Sequence, residues 1–327
     1  MKRLTVALLA VALLGAALVA GAQQADKMLR IGVLTLLPRS SRPGSIGFLG
    51  ELHDLGYVEG QNLVVEWRSA ADQVGRLDAF AAELVGLKVD VIVAATGLPT
   101  VRAAMRATRE IPIVAIDWEN DPVAVGYIAS YARPGGNVTG VFLDLPELRE
   151  KQLELLKETV PGVRHVGILL DAAGDPAGTQ LERAEAAARA LGMQPQRLPV
   201  RSISDLEPAF GLATRQHVDT LLVLSSPLLL RERARIAGLA IRNRLPLISL
   251  FRETAEAGGL MSYGLDRIGE SRHAGRMVDK IAKGAKPQDL PAERPTRFYL
   301  VINLKTAKAL GLTIPPSVLA RADEIIQ

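Results

Sequence analysis

Residues 29–38 read LRIGVLTLLP, an apolar run stopped by proline, and its core IGVL at Ile31 returns as VGIL at Val166. A short run that is apolar on both faces and closed by a turn residue is the pattern of a strand buried in a parallel sheet. The echo is not isolated. Leu55-Gly56 returns as Leu191-Gly192, Val89-Asp90 as Val218-Asp219, and Ile111-Pro112-Ile113 as Leu245-Pro246-Leu247. The four landmarks keep their order at offsets of 129 to 136 positions. The chain therefore carries one α/β series twice, the second copy starting near residue 145.

Outward from the first strand, Phe48, Leu49, Leu52 and Leu55 form one helical stripe that Gly56 ends. NLVVEWRSA, VDVIVAAT and IPIVAID then read as strands, separated by helices expected over 76–87 and 99–108. Strands alternating with helices of this length make βαβ units, so the expected fold class is α/β, two doubly wound parallel-sheet domains. The tail does not fit a simple tandem. After GGLMSYG come a helix over 267–283, with Ile268, Met277, Val278 and Ile281 apolar, the strand RFYLVIN, and a short helix over 305–310. Sharing these between two domains requires several crossings, a hinge of two or three strands rather than a loose linker.

The stretch SYARPGGNVTG at 130–140 admits three readings. A phosphate cradle fails, because neither a Lys-Ser/Thr pair nor a helix start follows the glycines. Asn137-Val138-Thr139 is formally a glycosylation acceptor, a three-residue pattern short enough to arise by coincidence. What remains is a Pro134-Gly135-Gly136 turn feeding a short strand over 137–141 that leaves the first domain.

The N-terminus is basic at Lys2-Arg3, apolar from Leu4 to Ala20 apart from Thr5, and then reads Ala20-Gly21-Ala22. That is the pattern of a secretory signal peptide over residues 1–22, cleaved after Ala22. Cysteine is absent, which excludes a disulfide framework and a lipid-bearing cysteine after the signal. The expected location is the periplasm, as a freely diffusing protein and not a lipoprotein. Without Lys2 and Arg3, 37 basic side chains face 35 acidic ones, interspersed along the chain, which argues against a nucleic-acid partner. About 300 mature residues make two domains the default.

Catalytic constellations are missing. There is no P-loop, no Gly-x-Gly-x-x-Gly after the first strand, and no nucleophile elbow, since Pro43 precedes Gly44-Ser45-Ile46-Gly47. His53, His165, His217 and His273 are far apart and show no ligand spacing. No enzyme, metal or cofactor is expected.

In open α/β sheets, ligands bind beyond the carboxyl ends of the strands. In the first domain those positions are Thr35, Thr96-Gly97 with Thr100, and Asp117-Trp118-Glu119; in the second they are Asp171, Ser225-Ser226 and 249–252, with Phe251 and Arg252. Asp144 stands at the first crossing. The amides of the helix start at ATGLPT can hold a small anion, although an ordinary capped helix explains Thr96 and Pro99 equally well. Trp118, between two carboxylates, suits a ring or an ammonium group, or packs against its own domain. Trp67 is set aside, because Glu66 and Arg68 beside it read as a solvated face. Asp117, Glu119, Asp144 and Asp171 make the cleft acidic, with Arg252 as counter-charge, so the expected ligand carries a positive group and resembles an amino acid.

GYVEGQNLVVEWRSA, SYARPGGNVTG, KQLELLKETVPG, EAGGLMSYG and above all PTRFYLVINLKTAKALGLTIPPSVLARADEII closely resemble the exported substrate-binding proteins of bacterial ABC transporters, in the family that includes tryptophan-binding members. The resemblance runs over residues 29–326. It implies a type I periplasmic-binding-protein fold with crossings near 141–145, 261–264 and 298–302. The domains then comprise 28–143 plus 263–297, and 144–262 plus 298–327. It also implies a monomer that closes on a small-molecule ligand and delivers it to an ABC permease, powered by a separate ATPase. The alternatives are a sensor presenting its ligand to a membrane receptor and an exported enzyme. Phe142-Leu143-Asp144, Asp171-Ala172 with a one-residue insertion near Gly174, and Asp117-Trp118-Glu119 depart from the family pattern at the site, so tryptophan does not carry over as the ligand.

Overall fold

The computed structural model of the protein describes residues 28–327 except 41, 72, 144, 145 and 174–177. The expected signal peptide with its expected cleavage after Ala22, Asp144 and the expected insertion near Gly174 lie outside the described residues.

The first half runs β1 (Leu29–Thr35), α1 (Arg42–Asp54), β2 (Leu63–Ser69), α2 (Leu77–Gly86), β3 (Val91–Ala95), α3 (Leu98–Ala107), β4 (Ile113–Asp117) and β5 (Val138–Phe142). The second runs α4 (Pro146–Thr159), β6 (His165–Asp171), α5 (Thr179–Ala190), β7 (Gln194–Val200), α6 (Leu206–Arg215), β8 (Thr220–Val223), α7 (Pro227–Arg231), α8 (Arg233–Arg242), β9 (Leu247–Ser249), α9 (Arg252–Glu256) and β10 (Met261–Gly264). The tail adds α10 (Arg267–Ala282), β11 (Tyr299–Asn303), α11 (Leu304–Leu310), α12 (Pro316–Leu319) and β12 (Glu324–Ile326).

Two sheets form. One has the order β2-β1-β3-β4-β5 and is parallel throughout; the other has the order β12-β11-β10-β9-β8-β6-β7. Read from its far edge, β7-β6-β8-β9-β10 repeats the first order strand for strand, so the duplication seen in sequence is a duplication of topology. The landmarks have structural jobs. The Asp90 carboxylate accepts the Arg30 amide at 2.9 Å at the start of β1, and Asp219 accepts the Arg164 and His165 amides at 2.8 Å at the start of β6. Gly56 and Gly192 end helices in the same way, the next amide donating back to Leu52 O and Ala188 O.

The second sheet then extends beyond its repeat. β11 pairs antiparallel with β10, and β12 parallel with β11. Chain passes between the sheets after Phe142, after Gly264 and again before Tyr299. The expected crossing residues 261–264 and 298–302 lie largely within β10 and β11, so the passages fall just outside these strands. Near the third passage Glu293 bridges Val141, its carbonyl accepting the Phe142 amide at 3.0 Å. Two returning segments are thus laced together at the rim of the first sheet.

α10 belongs with the first sheet. Its buried Ala274, Met277, Val278 and Ile281 join Phe48 and Leu52 of α1 and strand residues such as Val114 in one apolar cluster. The two helices approach through glycines: a Cβ on Gly47 would lie 2.2 Å from the Ile268 carbonyl oxygen, and one on Gly275 2.9 Å from Glu51 Cβ. Ion pairs flank the contact, Arg272 to Glu51 and Asp54 (2.9 and 2.8 Å) and Arg276 to Glu51 (3.0 Å). Burial opposes the charge on Glu51, but the two guanidinium groups outweigh it and hold its carboxyl below the usual range.

Candidate functional site

The carboxyl ends of β1, β3 and β4, with Trp67 of β2, face the start of α7 and Phe251 across a pocket of about 770 Å³ including its open mouth. The walls are aromatic and aliphatic: Phe48, Trp67, Trp118, Phe251, Ile116 and Leu230. Among its polar members are Thr35, Thr96, Glu119, Ser226 and Arg267. Both tryptophans of the chain therefore line one cavity.

Of the expected site residues, Thr35, Thr96, Trp118, Ser226 and Phe251 line this pocket. The threonine hydroxyls also shape its rim: Thr35 Oγ1 accepts from the Leu37 amide at 3.1 Å, and Thr96 Oγ1 from the Leu36 amide at 2.9 Å while donating to Ala95 O. Ser226 caps α7, accepting from the Leu229 amide at 3.1 Å. Asp117 stands behind the wall, fully buried. Its carboxylate collects the Glu119 amide (2.9 Å), the Asn120 amide and side chain, and the Tyr127 hydroxyl, and so fixes the turn that presents Trp118 and Glu119. Asp171 ends β6, accepts the Ala173 amide at 3.0 Å and is absent from the lining.

Two expectations need correcting. Thr100 is wholly buried and donates to Gly97 O at 2.8 Å, so it stabilises the first turn of α3 and does not face the cleft. Arg252 turns outward to Glu256 (2.9 Å) and Glu324 (2.7 Å), because β12 brings Glu324 up beside it. The guanidinium in the cleft is that of Arg267, which pairs with Glu253 at 3.0 Å and lies 5.2 Å over the Phe251 ring.

The α3 start is not an open anion seat either. Gly97 adopts φ 85°, and a Cβ there would sit 2.2 Å from Glu119 Oε2. The chain's own carboxyl occupies that space, and only glycine leaves room for it. Glu119 also spans the cleft, accepting from Ser225 Oγ at 3.1 Å. Burial is the main reason its carboxyl titrates well above the ordinary range; the neighbouring Asp117 adds to this and the Ser225 hydroxyl works against it. Burial raises Asp117 too, offset in part by its hydrogen bonds.

From Ser225 a polar chain continues into the second unit. Gln180 donates to Ser225 O (3.1 Å), Arg149 to both Gln180 (3.1 Å) and Gln152 (2.9 Å), and Gln152 to Tyr263 O in β10 (2.8 Å). The pocket and a hinge strand are joined by hydrogen bonds.

Sequence reading missed Trp67 and Arg267. Along β2, Leu63, Val65 and Trp67 share one face and pack in the α1–α10 cluster, while Glu66 and Arg68 point to the other. The alternation of a strand was the available signal, since immediate neighbours in sequence lie on opposite faces. The Trp67 indole Nε1 is buried without a partner in a pocket wall. Among the described residues no group of three or more His, Cys, Asp or Glu is placed to hold a metal, and no helix is long and apolar enough to cross a membrane.

Two α/β units joined by three passages of the chain, with an aromatic-walled cleft between them, define a solute-binding protein. The model of the ABC transporter substrate binding protein family matches residues 31–326, and the chain belongs to that family, whose members bind solutes without transforming them. A tyrosine-binding protein of Clostridioides difficile strain R20291 is 26% identical over 289 residues, 88% of this chain and 82% of the relative. Among solved structures, a conserved domain protein of Vibrio cholerae matches with a TM-score of 0.85 at 27% identity, covering 91% of this chain and 100% of the other. An ABC domain from Streptococcus pneumoniae in complex with L-Trp matches with 0.84 at 27% identity, covering 91% and 99%.

Proposed function

We propose that this substrate-binding protein captures an aromatic compound bearing an ammonium group, an aromatic amino acid by class, and closes its two units around it. The observation that carries this reading is the pairing of Trp67 and Trp118 in one pocket with Glu119, the one lining carboxyl among the described residues. Aromatic faces stack a ring or hold a cation, and a carboxylate in an apolar cavity selects the cation's charge. The relatives' ligands support it, tyrosine in one case and L-Trp in another. Thr35, Thr96, Trp118, Ser226 and Phe251 contact the ligand in this reading, joined by Trp67, Glu119 and Arg267. The protein is a periplasmic monomer, exported by a signal cleaved after Ala22 and not lipid-anchored, and it hands its ligand to an ABC permease.

A thermal-shift panel of L-tyrosine, L-tryptophan, L-phenylalanine, tyramine, neutral sugars and dicarboxylates tests the ligand class. A ligand present at 100 times its Kd adds about 2.7 kcal/mol, a readable shift. Stabilisation by sugars or dicarboxylates, with none from the aromatic amines, overturns the reading.

A further inference from the structure

We propose that Glu119 is the residue that reads the ligand's ammonium group, and that it exchanges its own proton for that group when the cleft fills. The inference rests on the ligand class proposed above and adds a chemical event to it.

The geometry isolates Glu119 as a receptor. Its carboxyl lies between Gly97 at the start of α3 and the Ser225 hydroxyl across the cleft, in a pocket whose other walls are largely apolar. Facing it are Asp117 at the end of β4, two residues before it, and Asp171 at the end of β6, both negative when ionised, while Arg149 of α4 opposes them. The Arg149 guanidinium donates to Gln152 and Gln180. The dipole at the α3 start and the Ser225 hydroxyl favour a charge on Glu119. Removal from water and the neighbouring carboxylates disfavour it more, so the balance at this position is pushed towards the protonated carboxyl.

An entering ammonium reverses that balance. The Glu119 O–H bond breaks, the proton passes to water or buffer, and the carboxylate pairs with the ammonium. The ammonium brings one positive charge to Glu119 as the proton carries one away, so the exchange is balanced at that carboxyl; the carboxylate of an amino acid is a further negative charge, which the Arg267 guanidinium in the lining faces. The Ser225 hydroxyl can go on donating to the carboxylate, which keeps the cross-cleft bond in both states. Deaminated ligands cannot drive the exchange. Affinity for an amine then rises about tenfold per pH unit until Glu119 is ionised in the empty protein.

The experiment is titration calorimetry of the full mature protein at pH 7 in phosphate and in Tris, with L-tyrosine, L-tryptophan and 3-(4-hydroxyphenyl)propionate as probes. The difference in heat between buffers counts protons. The expected result is release of about one proton per amino acid bound and none with the deaminated acid. Glu119→Gln, which keeps an acceptor for Ser225, is expected to fold, to release none and to bind at least about tenfold more weakly. Ser225→Ala is expected to keep the proton count. If either amino acid binds without proton release, or Glu119→Gln keeps both affinity and proton count, the inference falls while the ligand class stands. If neither amino acid binds, both fall.

Discussion

Arg267 and Glu253 tie α10, which packs on the first sheet, to α9 of the second, and their side chains are only 12% and 11% exposed. Glu253 Oε2 is already buried without a partner, so Arg267→Ala strips the carboxylate of the partner on its other oxygen. Breaking a buried pair from one side costs about 3–5 kcal/mol. The residual exposure reduces that to roughly 2–3, and losing the stack on Phe251 adds about 0.5–1. The expected loss is therefore about 3 kcal/mol. It is readable as a lower urea midpoint and as a fall in Tm of about 6 °C or more. Replacing both partners by apolar groups of similar volume, Arg267→Met with Glu253→Leu, is expected to recover most of the loss, because no charge is left stranded. A single variant within 0.5 kcal/mol of the parent, or a double variant no better than the single one, refutes this account.

Gly97→Ala forces a side chain into a left-handed conformation and against Glu119 Oε2, and is expected to cost about 1–3 kcal/mol in urea unfolding, part of it regained with Glu119→Ala. Because both tryptophans line the pocket, tryptophan fluorescence reports on the site; Trp67→Ala and Trp118→Ala should each weaken binding roughly tenfold, and Glu66→Ala should leave it unchanged. Arg252→Ala is expected to leave ligand affinity within about twofold, as its partners lie outside the cleft. The raised titration of Glu119 fixes a sign. The folded state holds this proton more tightly than the unfolded one, so its contribution to stability is present below the ordinary carboxylate range and is lost as pH rises through the elevated value. Glu119→Gln should therefore gain over the parent across that window, by about 1.4 kcal/mol per unit of displacement, and melting curves from pH 4 to 9 that stay parallel would contradict it.

Much of the fold was legible because its signals are local and repeated. Asp90 and Asp219 stand at equivalent places because each binds an amide opening the first strand of its series, a constraint that leaves the same residue twice. The pocket was legible only to the level of strand ends. Thr35, Trp118 and Phe251 follow from where a strand stops, but whether a side chain turns inward depends on partners far along the chain. Arg252 was captured by Glu324, 72 residues on, and nothing in its neighbourhood announces this. Trp67 was discounted by comparison with neighbours that lie on the opposite face. Gly97 looked like a cradle for a ligand, and the group it accommodates belongs to the protein.

The seam between α1 and α10 also governs when the molecule can become itself. Glu51 and Arg272 meet across 221 residues, with the whole of the second repeat between them. A chain emerging from its N-terminus completes the first five strands early, yet their outer face stays uncovered until α10 arrives. Contacts so distant in sequence are slow to form. The early part of the chain is thus held back from its final packing until nearly all of it is available, so the two ends of the sequence reach their folded state together.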